Sequence, residues 1–416
     1  MKLIYIIITA LLLMFNISVS GQDTEIKDDF GIKLSGYVNW SAIYDSRQTV
    51  NSREGHFLLY PKEKLLDKDG NDLNAVKNFN MAVIMSRVSG KITAPAFLGA
   101  KTTGVLEAEF MGNSDSDVNG LRIRHAWLNL NWGSTNLLLG QTWSPLFIPE
   151  SSPDQIGSNA GAPFLPFARN PQIRLTQQFG DFKVIGALLT QRDFVSFGPN
   201  NPTASSDYLR NSAIPDAHFQ VQFSRNGNLF GAGGEYKILK PAIKTAKGYY
   251  TDNTIGGFAL MGFGKILMID NMLKIKFQGI YGGNLTDLTM LGGYAVRSVD
   301  STTMTESYTP IKTFAFWTDI AFGKKLEGGL FAGYSKNLGT AEMIKTATGT
   351  FYARGSNIDN VFRVAPRIVY SEGKVKAGLE MEYTTAVYGK PDNYGKIFEK
   401  YDANNIRIYT SVFYYF

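Results

Sequence analysis

The sequence NIRIYTSVFYYF, residues 405–416, ends on an aromatic residue and alternates strictly between two sets of side chains. One set contains Ile406, Ile408, Val412 and Phe416, and the other begins with Arg407. A period of two predicts a β-strand with one apolar face. In water such an aromatic strand would aggregate, unless its apolar face meets lipid and its edge pairs with another strand. The segment therefore predicts the closing strand of a transmembrane β-barrel.

The N-terminal residues predict export of the chain from the cytoplasm. Lys2 precedes an apolar run at residues 3–15, and small residues follow at 18–21. This order is typical of a secretory signal peptide, and the run is shorter than the roughly 20 residues of a membrane-spanning helix. We expect residues 1–21 to be the signal peptide, with cleavage after residue 20 or 21. Residues 22–416 would then form the barrel domain.

The composition excludes several other classes of protein. After the signal segment no apolar run is long enough for a helical span, which excludes a multi-helix transporter. The chain has no cysteine, so disulfide frameworks and thiolate metal sites are excluded. The formal net charge of +6 is too mild to predict a nucleic-acid partner. The 42 Gly, 28 Phe and 21 Tyr suit curved strands anchored at membrane interfaces.

Period-two segments recur along the chain and predict its architecture. Sixteen candidate strands begin near residues 31, 79, 101, 121, 135, 171, 181, 215, 229, 254, 272, 311, 325, 359, 374 and 404. Tight turns alternate with long polar loops near residues 48–78, 144–170, 196–214, 241–253, 287–309, 337–358 and 389–403. This alternation predicts an all-β fold, a 16-stranded antiparallel transmembrane β-barrel with short periplasmic turns and long extracellular loops.

The polar faces of these strands predict a channel lined by basic groups. Sixteen strands enclose a barrel wide enough for a water-filled lumen. The arginines that we expect in the pore or its constriction are Arg87, Arg122, Arg124, Arg174, Arg363, Arg367 and Arg407. Rings of arginine favour anions, because the guanidinium group stays charged and binds carboxylates through paired donors. The alternative is that these arginines pair with lumenal carboxylates and stiffen the wall.

The segment at residues 144–170 is the second functional candidate. It is rich in Pro and Gly and carries apolar residues that an exposed polar loop does not need. We expect it to fold inward, narrow the channel and set Glu150 and Asp154 against wall arginines. The alternative is a surface loop at a subunit contact.

A resemblance to a known family supports these predictions. The stretch RHAWLNLNWGSTNLLLGQTWSPLF, residues 124–147, resembles two strands and a short turn of the trimeric porins of Gram-negative outer membranes, and GQTWS at 140–144 is most similar to the DcaP-like branch. The resemblance implies a homotrimer in the outer membrane, an inward third loop, and passive diffusion of small hydrophilic solutes. It also implies anionic, dicarboxylate-type solutes and a constriction arginine at Arg124. The terminal strand ending at Phe416 resembles the signal that the barrel assembly machinery recognises.

Other functions have less support in the sequence. The three histidines, His56, His125 and His218, lie in no hydrolase motif, so we expect no enzyme and no cofactor. The segment DKDGND at residues 67–72 is rich in oxygen ligands but lacks the glycine position of an EF-hand. We therefore expect a solvated loop there and no metal site, with a divalent ion as the alternative. A surface adhesin and a plugged, substrate-specific barrel also remain as alternatives.

Overall fold

The computed structural model describes residues 30–112, 115–157, 159, 161–200, 203–345 and 349–416. The predicted signal peptide at residues 1–21 lies outside this part of the chain, so it stays a prediction. Among the described residues, no helix combines the length and the apolarity needed to cross a bilayer.

Strands account for most of the described chain. In chain order they are β1 Gly31–Asp45, β2 Thr49–Ser52, β3 Phe57–Pro61, β4 Asn78–Ala82, β5 Arg87–Phe97, β6 Ala100–Glu109, β7 Arg122–Asn131, β8 Thr135–Trp143, β9 Arg169–Phe179, β10 Phe182–Leu189, β11 Asp216–Arg225, β12 Asn228–Leu239, β13 Ile255–Met268, β14 Leu273–Gly283, β15 Gly292–Val299, β16 Glu306–Gly323, β17 Leu326–Thr340, β18 Phe351–Arg354, β19 Ile358–Glu372, β20 Val375–Pro391 and β21 Ile397–Tyr415. Four helical turns lie between them, the short α-helix α1 Asp207–Arg210 and the 3-10 turns Asp115–Asp117, Pro149–Ser151 and Thr286–Leu288.

The strands close into an antiparallel barrel. β1 pairs with β21 on one side and with β4 and β5 on the other, so that β4 and β5 together make one wall position. From β6 onward each wall strand pairs with the next, while β15 and β18 extend the sheet beyond β16 and β2 pairs only with β3. The wall therefore has sixteen positions, and the predicted 16-stranded barrel is confirmed.

The seam between β1 and β21 shows why the terminal sequence is aromatic. Gly36 and Phe416 exchange backbone hydrogen bonds of 3.3 and 3.1 Å, which fixes the register of the closing strand. Along β21 the two predicted faces separate: Ile408 is 44% exposed, whereas the next residue, Tyr409, is 1% exposed. The exposed apolar face is the one that lipid would cover, and the buried face points into the barrel.

The short turns follow the local backbone preferences. Between β11 and β12, Asn226 and Gly227 have φ angles of 51° and 80°. Two positive φ values in a two-residue loop are typical of the type I′ turn, whose twist matches that of the flanking strands. Arg225 consequently pairs with Asn228 directly across the turn.

The prediction of a long loop at residues 389–403 is wrong. β20 continues to Pro391 and β21 begins at Ile397, which leaves a turn of only a few residues. The wall strands extend here because their inward side chains still have partners: Ala386 and Ala403 pair across the two strands and are both buried. Burial of these apolar residues outweighs the polar composition that suggested a loop.

Three segments from the long-loop side fill part of the barrel interior. They are the first hairpin (residues 49–61, which includes β2 and β3), the third loop (residues 144–170) and the buried turn (residues 284–291). Phe57 of the first hairpin and Phe167 of the third loop lie 4.9 Å apart between ring centroids. Phe167 also donates its backbone NH to the Leu288 carbonyl oxygen at 2.9 Å. The lumen is therefore narrowed by contacts among all three segments.

Candidate functional site

Two arginines of β7, Arg122 and Arg124, lie on the inner face of the wall. They are two positions apart, so they share one face of the strand, and both are buried. Arg122 pairs with Glu109 and Ile123 with Ala108, but Glu107 then pairs with His125, so Arg124 is the extra residue of a β-bulge. A bulge of this kind shifts the alternation of side chains by one position, which explains why the period-two pattern drifts after Arg124.

Three predicted pore arginines converge on one buried carboxylate. The Glu109 side chain is 1% exposed and accepts from Arg87 at 3.2 Å and from Arg124 at 2.7 Å. Arg122 forms a further ion pair with the other oxygen of Glu109. Arg124 also contacts Glu107 at 2.9 Å. These three arginines therefore pair with lumenal carboxylates, and their role as pore-lining residues stays a prediction.

A second carboxylate extends the network into the loop after β10. Asp193 accepts from Arg122 at 2.9 Å and from Arg169 at 2.7 Å. Burial alone would raise the pKa of the Asp193 carboxyl, but the charges of Arg169, Arg122 and Arg53 outweigh it and hold this pKa below its usual value. Asp193 is therefore ionised at neutral pH and bridges two arginines.

Arg53, at the tip of the first hairpin, is the member of this region that lacks a carboxylate partner among the described residues. Its Nε donates to the Gly112 carbonyl oxygen at 3.1 Å, and its guanidinium lies 5.7 Å from the ring centre of Phe194. The side chain is 3% exposed, and this burial lowers its pKa to about 10, so it remains charged at neutral pH. The nearby Asp115 carboxylate accepts from the backbone NH groups of Arg53 and Glu54.

These side chains surround a cavity of about 160 Å³, the arginine cavity. Arg53, Arg87, Arg122, Arg124, Glu109 and Trp143 line it. This volume is close to the ~150 Å³ that accommodates a solute of about six heavy atoms in a protein interior.

The charges around the arginine cavity do not balance. With Asp115, which accepts the backbone NH of Arg53, its network contains five arginines and four carboxylates, which leaves an excess of one positive charge. The arginines are Arg53, Arg87, Arg122, Arg124 and Arg169, and the carboxylates are Glu107, Glu109, Asp115 and Asp193.

Three other predicted pore arginines lie elsewhere and hold parts of the barrel together. Arg363 is fully buried and donates to the Ala162, Leu58 and Leu59 carbonyl oxygens at 2.9, 3.3 and 3.0 Å. Arg367 makes a two-point ion pair with Asp319, and Arg407 makes one with Asp45 across the seam. Their donors are engaged by the protein, so they contribute less to the field in the lumen than the sequence suggested.

The remaining predicted residues are only partly brought together. Arg174 donates to Gln172 Oε1 at 2.8 Å and to the Trp143 carbonyl oxygen, without an ion pair among the described residues. Asp154 of the third loop pairs with Lys276 at 2.6 Å and Lys274 at 3.6 Å, so the expected arginine partner is wrong: lysines occupy the facing positions of β14.

Glu150, the other acidic residue predicted in the third loop, is exposed and forms no ion pair in the part of the chain that the structure describes. It lies in the turn Pro149–Ser151, and its charge acts on the guanidinium of the wall arginine Arg174. The expectation that Glu150 is set against a wall arginine therefore stays a prediction.

It was not predicted from the sequence that the first hairpin folds into the barrel or that it places Arg53 there. Residues 56–61, HFLLYP, form an apolar run inside an otherwise polar loop, and this run signals burial. Arg53 lies three residues before it and is carried inward with it. Arg169 and Asp193 gave no local signal, because they meet only through the fold.

Comparisons with known proteins agree with this geometry. A family model described as DcaP outer membrane protein matches residues 8–190, which include every arginine of the arginine cavity. This part of the chain is similar to the DcaP outer membrane protein family. No curated protein matches the chain.

Solved structures share the fold of the chain at low sequence identity. The outer membrane channel DcaP of Acinetobacter baumannii is 17% identical with a TM-score of 0.67, and the match covers 94% of this chain and 99% of that one. A trimer form of OmpT, an outer membrane protein of Vibrio cholerae, is 11% identical with a TM-score of 0.55, covering 94% of this chain and 100% of OmpT. These likenesses establish the barrel architecture.

Proposed function

We propose that this barrel is a DcaP-like outer-membrane porin through which small hydrophilic anions, carboxylates in particular, diffuse passively. The observation that carries this proposal is the excess of positive charge around the arginine cavity, where the Arg53 guanidinium forms no ion pair with a carboxylate among the described residues. An anionic solute restores the balance that the protein leaves incomplete.

The energetics favour attraction without tight binding. Two unit charges about 4 Å apart interact by roughly 4 kcal/mol at an effective dielectric constant near 20, before screening by salt. Most of that field is cancelled by Glu107, Glu109 and Asp193, so a solute meets a modest net attraction. Selective conduction needs binding that is favourable enough for entry and weak enough for release.

The first hairpin and the third loop supply the constriction in this proposal. The third loop contacts the inner wall through Leu146, whose carbonyl oxygen accepts from Gln278 at 2.9 Å, and through Ile156, whose NH donates to Glu380 at 3.2 Å. Ser151 donates to the Gly264 carbonyl oxygen at 2.7 Å. These contacts with β13, β14 and β20 hold the loop across the lumen beside the arginine cavity.

A plugged, substrate-specific barrel is the second candidate, and one observation favours it. The first hairpin, the third loop and the buried turn share a packed aromatic cluster that includes Phe57, Phe164 and Phe167. Packing of this kind restricts flow more than a single constriction loop does. Ion flow through the unmodified protein separates the two functions, because a plugged barrel conducts little without its substrate.

We further propose a homotrimer embedded in outer-membrane lipid and assembled through the terminal strand that ends at Phe416. The exposed apolar face of the wall supports contact with lipid and with neighbouring copies. The related barrel OmpT is described in a trimer form. We propose no enzymatic step and no cofactor for the transport.

Chloride current through planar bilayers, recorded with and without succinate, tests the proposal. We expect stepwise channels whose current is reduced when succinate is added, because the dicarboxylate competes for the arginine cavity. Succinate should reduce the chloride current through the Arg53→Gln variant less than it reduces the current through the unmodified protein. If both proteins conduct chloride and succinate changes neither current, the carboxylate site is contradicted. If the folded barrel does not conduct, the plugged alternative is supported.

A further inference from the structure

A second cluster of charged side chains lies outside the arginine cavity. Asp216 is the first residue of β11, Glu235 lies on β12, and Asp287 lies in the turn Thr286–Leu288. One ligand oxygen from each carboxylate lies within 4.8 Å of the others, and all three residues are buried. Three carboxylates this close repel one another strongly unless positive charge lies among them.

The protein supplies only part of that positive charge. Lys237 on β12 contacts Asp287 Oδ1, and Gln191 donates to Asp287 Oδ2 at 3.1 Å. Lys237 and the three carboxylates carry a formal charge of −2. Arg354, whose guanidinium donates to the Thr286 carbonyl oxygen at 3.4 Å, adds one positive charge near Asp287, so negative charge remains in excess for a cation to neutralise.

Unpartnered atoms point into the same cluster. Both oxygens of Asp216, which is fully buried, and Oε2 of Glu235 have no hydrogen-bond partner among the described residues. A buried polar atom without a partner costs about 1–3 kcal/mol, and more when it is charged. The cluster therefore has the donor atoms of a ligand site but lacks a partner for them.

His218, outside the carboxylate set, gives an independent indication. It is 4% exposed, and its Nε2 lies 3.1 Å from Gln220 Oε1. Its other ring nitrogen, Nδ1, lies 3.7 Å from Glu235 Oε2 and has no hydrogen-bond partner among the described atoms. A buried ligand atom from a fourth residue therefore faces the cluster without a partner.

We propose that Asp216, Glu235 and Asp287 bind one Ca²⁺ ion on the long-loop side of the barrel. Ca²⁺ accepts oxygen ligands at about 2.3–2.6 Å, so oxygens up to about 5 Å apart reach one ion. The carboxylates meet this limit. Mg²⁺ usually keeps several waters and binds one or two carboxylates, whereas Ca²⁺ accepts about six to eight oxygen ligands in a flexible geometry.

The proposed ion would fasten the buried turn to the wall. Asp287 lies in that turn, whereas Asp216 and Glu235 belong to β11 and β12. Leu288, the next residue of the turn, accepts the backbone NH of Phe167 from the third loop. Ca²⁺ therefore holds the wall, the buried turn and the third loop in one arrangement, whichever solute the barrel carries.

Calorimetry of the EDTA-treated full-length protein in detergent, titrated with CaCl₂, tests the proposal. We expect one Ca²⁺ per chain and a higher unfolding temperature in CaCl₂ than in EDTA. Asp216→Asn, which preserves size, should weaken binding at least about tenfold. Asp252→Asn is the matched control, because it removes one exposed carboxylate paired with Lys240 on the same rim, and it should bind as the unmodified protein does.

Two results from comparing the unmodified protein with Asp216→Asn overturn the proposal. One is identical Ca²⁺ binding by the unmodified and Asp216→Asn proteins. The other is an infrared band of a protonated carboxylic acid in the unmodified protein that persists in CaCl₂ and is lost in Asp216→Asn, since a proton would then occupy the cluster. If Asp216→Asn does not fold, anomalous diffraction from crystals of the unmodified protein soaked in MnCl₂ decides: density among the three carboxylates supports the site, and its absence overturns it.

Discussion

The guanidinium of Arg363 on β19 donates to the Ala162 carbonyl oxygen of the third loop at 2.9 Å. The same side chain donates to two carbonyl oxygens of the first hairpin, so one wall arginine fastens both inward segments. Its predicted role as a pore residue stays untested, and its contacts indicate a structural role. A buried arginine is suited to holding two segments together, because its planar guanidinium group offers several donors to fixed acceptors.

Replacement of Arg363 by Met should release the two inward segments. The variant loses hydrogen bonds from a charged group, and we expect the unfolding free energy to fall by about 3 kcal/mol. Single-channel conductance should rise and become noisier, because the third loop moves more freely. Unchanged conductance with normal noise would show that Arg363 does not hold the constriction. Lys325→Met, which breaks an exposed pair with Glu372, is the control and should behave like the unmodified protein.

Replacement of Arg53 by Gln should reduce anion preference without a large loss of stability. Arg53 has no ion pair among the described residues, so its removal leaves no carboxylate of the network stranded. We expect the chloride-to-potassium permeability ratio to fall roughly fivefold, which corresponds to a loss of about 1 kcal/mol of attraction for chloride. Reversal potentials in a KCl gradient measure it. Arg225→Gln, an exposed arginine beside a short turn, is the charge-matched control. Equal ratios in both variants would contradict the role of Arg53.

Replacement of Glu109 by Gln should have the opposite electrical effect and a larger structural cost. Glu109 pairs with Arg87, Arg122 and Arg124, and its loss leaves these buried charges under-compensated. We expect a loss of about 3 kcal/mol in unfolding free energy, measured by thermal unfolding in detergent. Anion preference should increase in the fraction that folds. A decrease would mean that the cavity does not set the selectivity.

The contact of the third loop with β14 should withstand mild acid. Burial raises the pKa of Asp154, but Lys276 and Lys274 outweigh it and hold this pKa below its ordinary value of 3.8. A lowered folded-state pKa contributes stability that is present above the unfolded value and lost as the pH falls through the folded value. Channel noise should therefore stay constant from about pH 7 to pH 5 and increase only below about pH 4. The current through the Asp154→Asn variant should be noisy at every pH. If its noise equals that of the unmodified protein, other contacts hold the third loop.

The seam should depend on the ion pair between Asp45 and Arg407. Both side chains are buried, and two hydrogen bonds of 2.9 and 2.7 Å join them. Asp45→Asn leaves Arg407 buried without its charge partner, which costs about 3–5 kcal/mol. We expect a lower temperature of barrel unfolding on semi-native gels. Glu372→Gln on an exposed pair is the control, and equal unfolding temperatures would show that the seam does not need the pair.

The barrel itself could be predicted from the sequence because its wall obeys a local rule. Side chains alternate along each strand, as in β21, where exposed Ile406 and Ile408 flank buried Arg407. The number of wall strands follows from counting such segments. The length of β20 and β21 could not be predicted, because the partner that buries Ala403 is another strand rather than a neighbour in sequence.

The interior was less predictable, since long-range contacts determine it. The sequence assigned Arg367 and Arg407 to the lumen but did not show that Asp319 and Asp45 neutralise them. It also placed residues 49–61 in an extracellular loop, although the run that contains Phe57 packs against Phe167. Which arginine stays unpaired depends on these contacts.

The reversal potential of the unmodified protein in a planar bilayer across a KCl gradient tests the central claim most directly. The excess of positive charge around the arginine cavity predicts stepwise channels whose reversal potential has the same sign as the equilibrium potential of chloride. A reversal potential with the sign of the potassium equilibrium potential would contradict an anion-selective constriction built around Arg53.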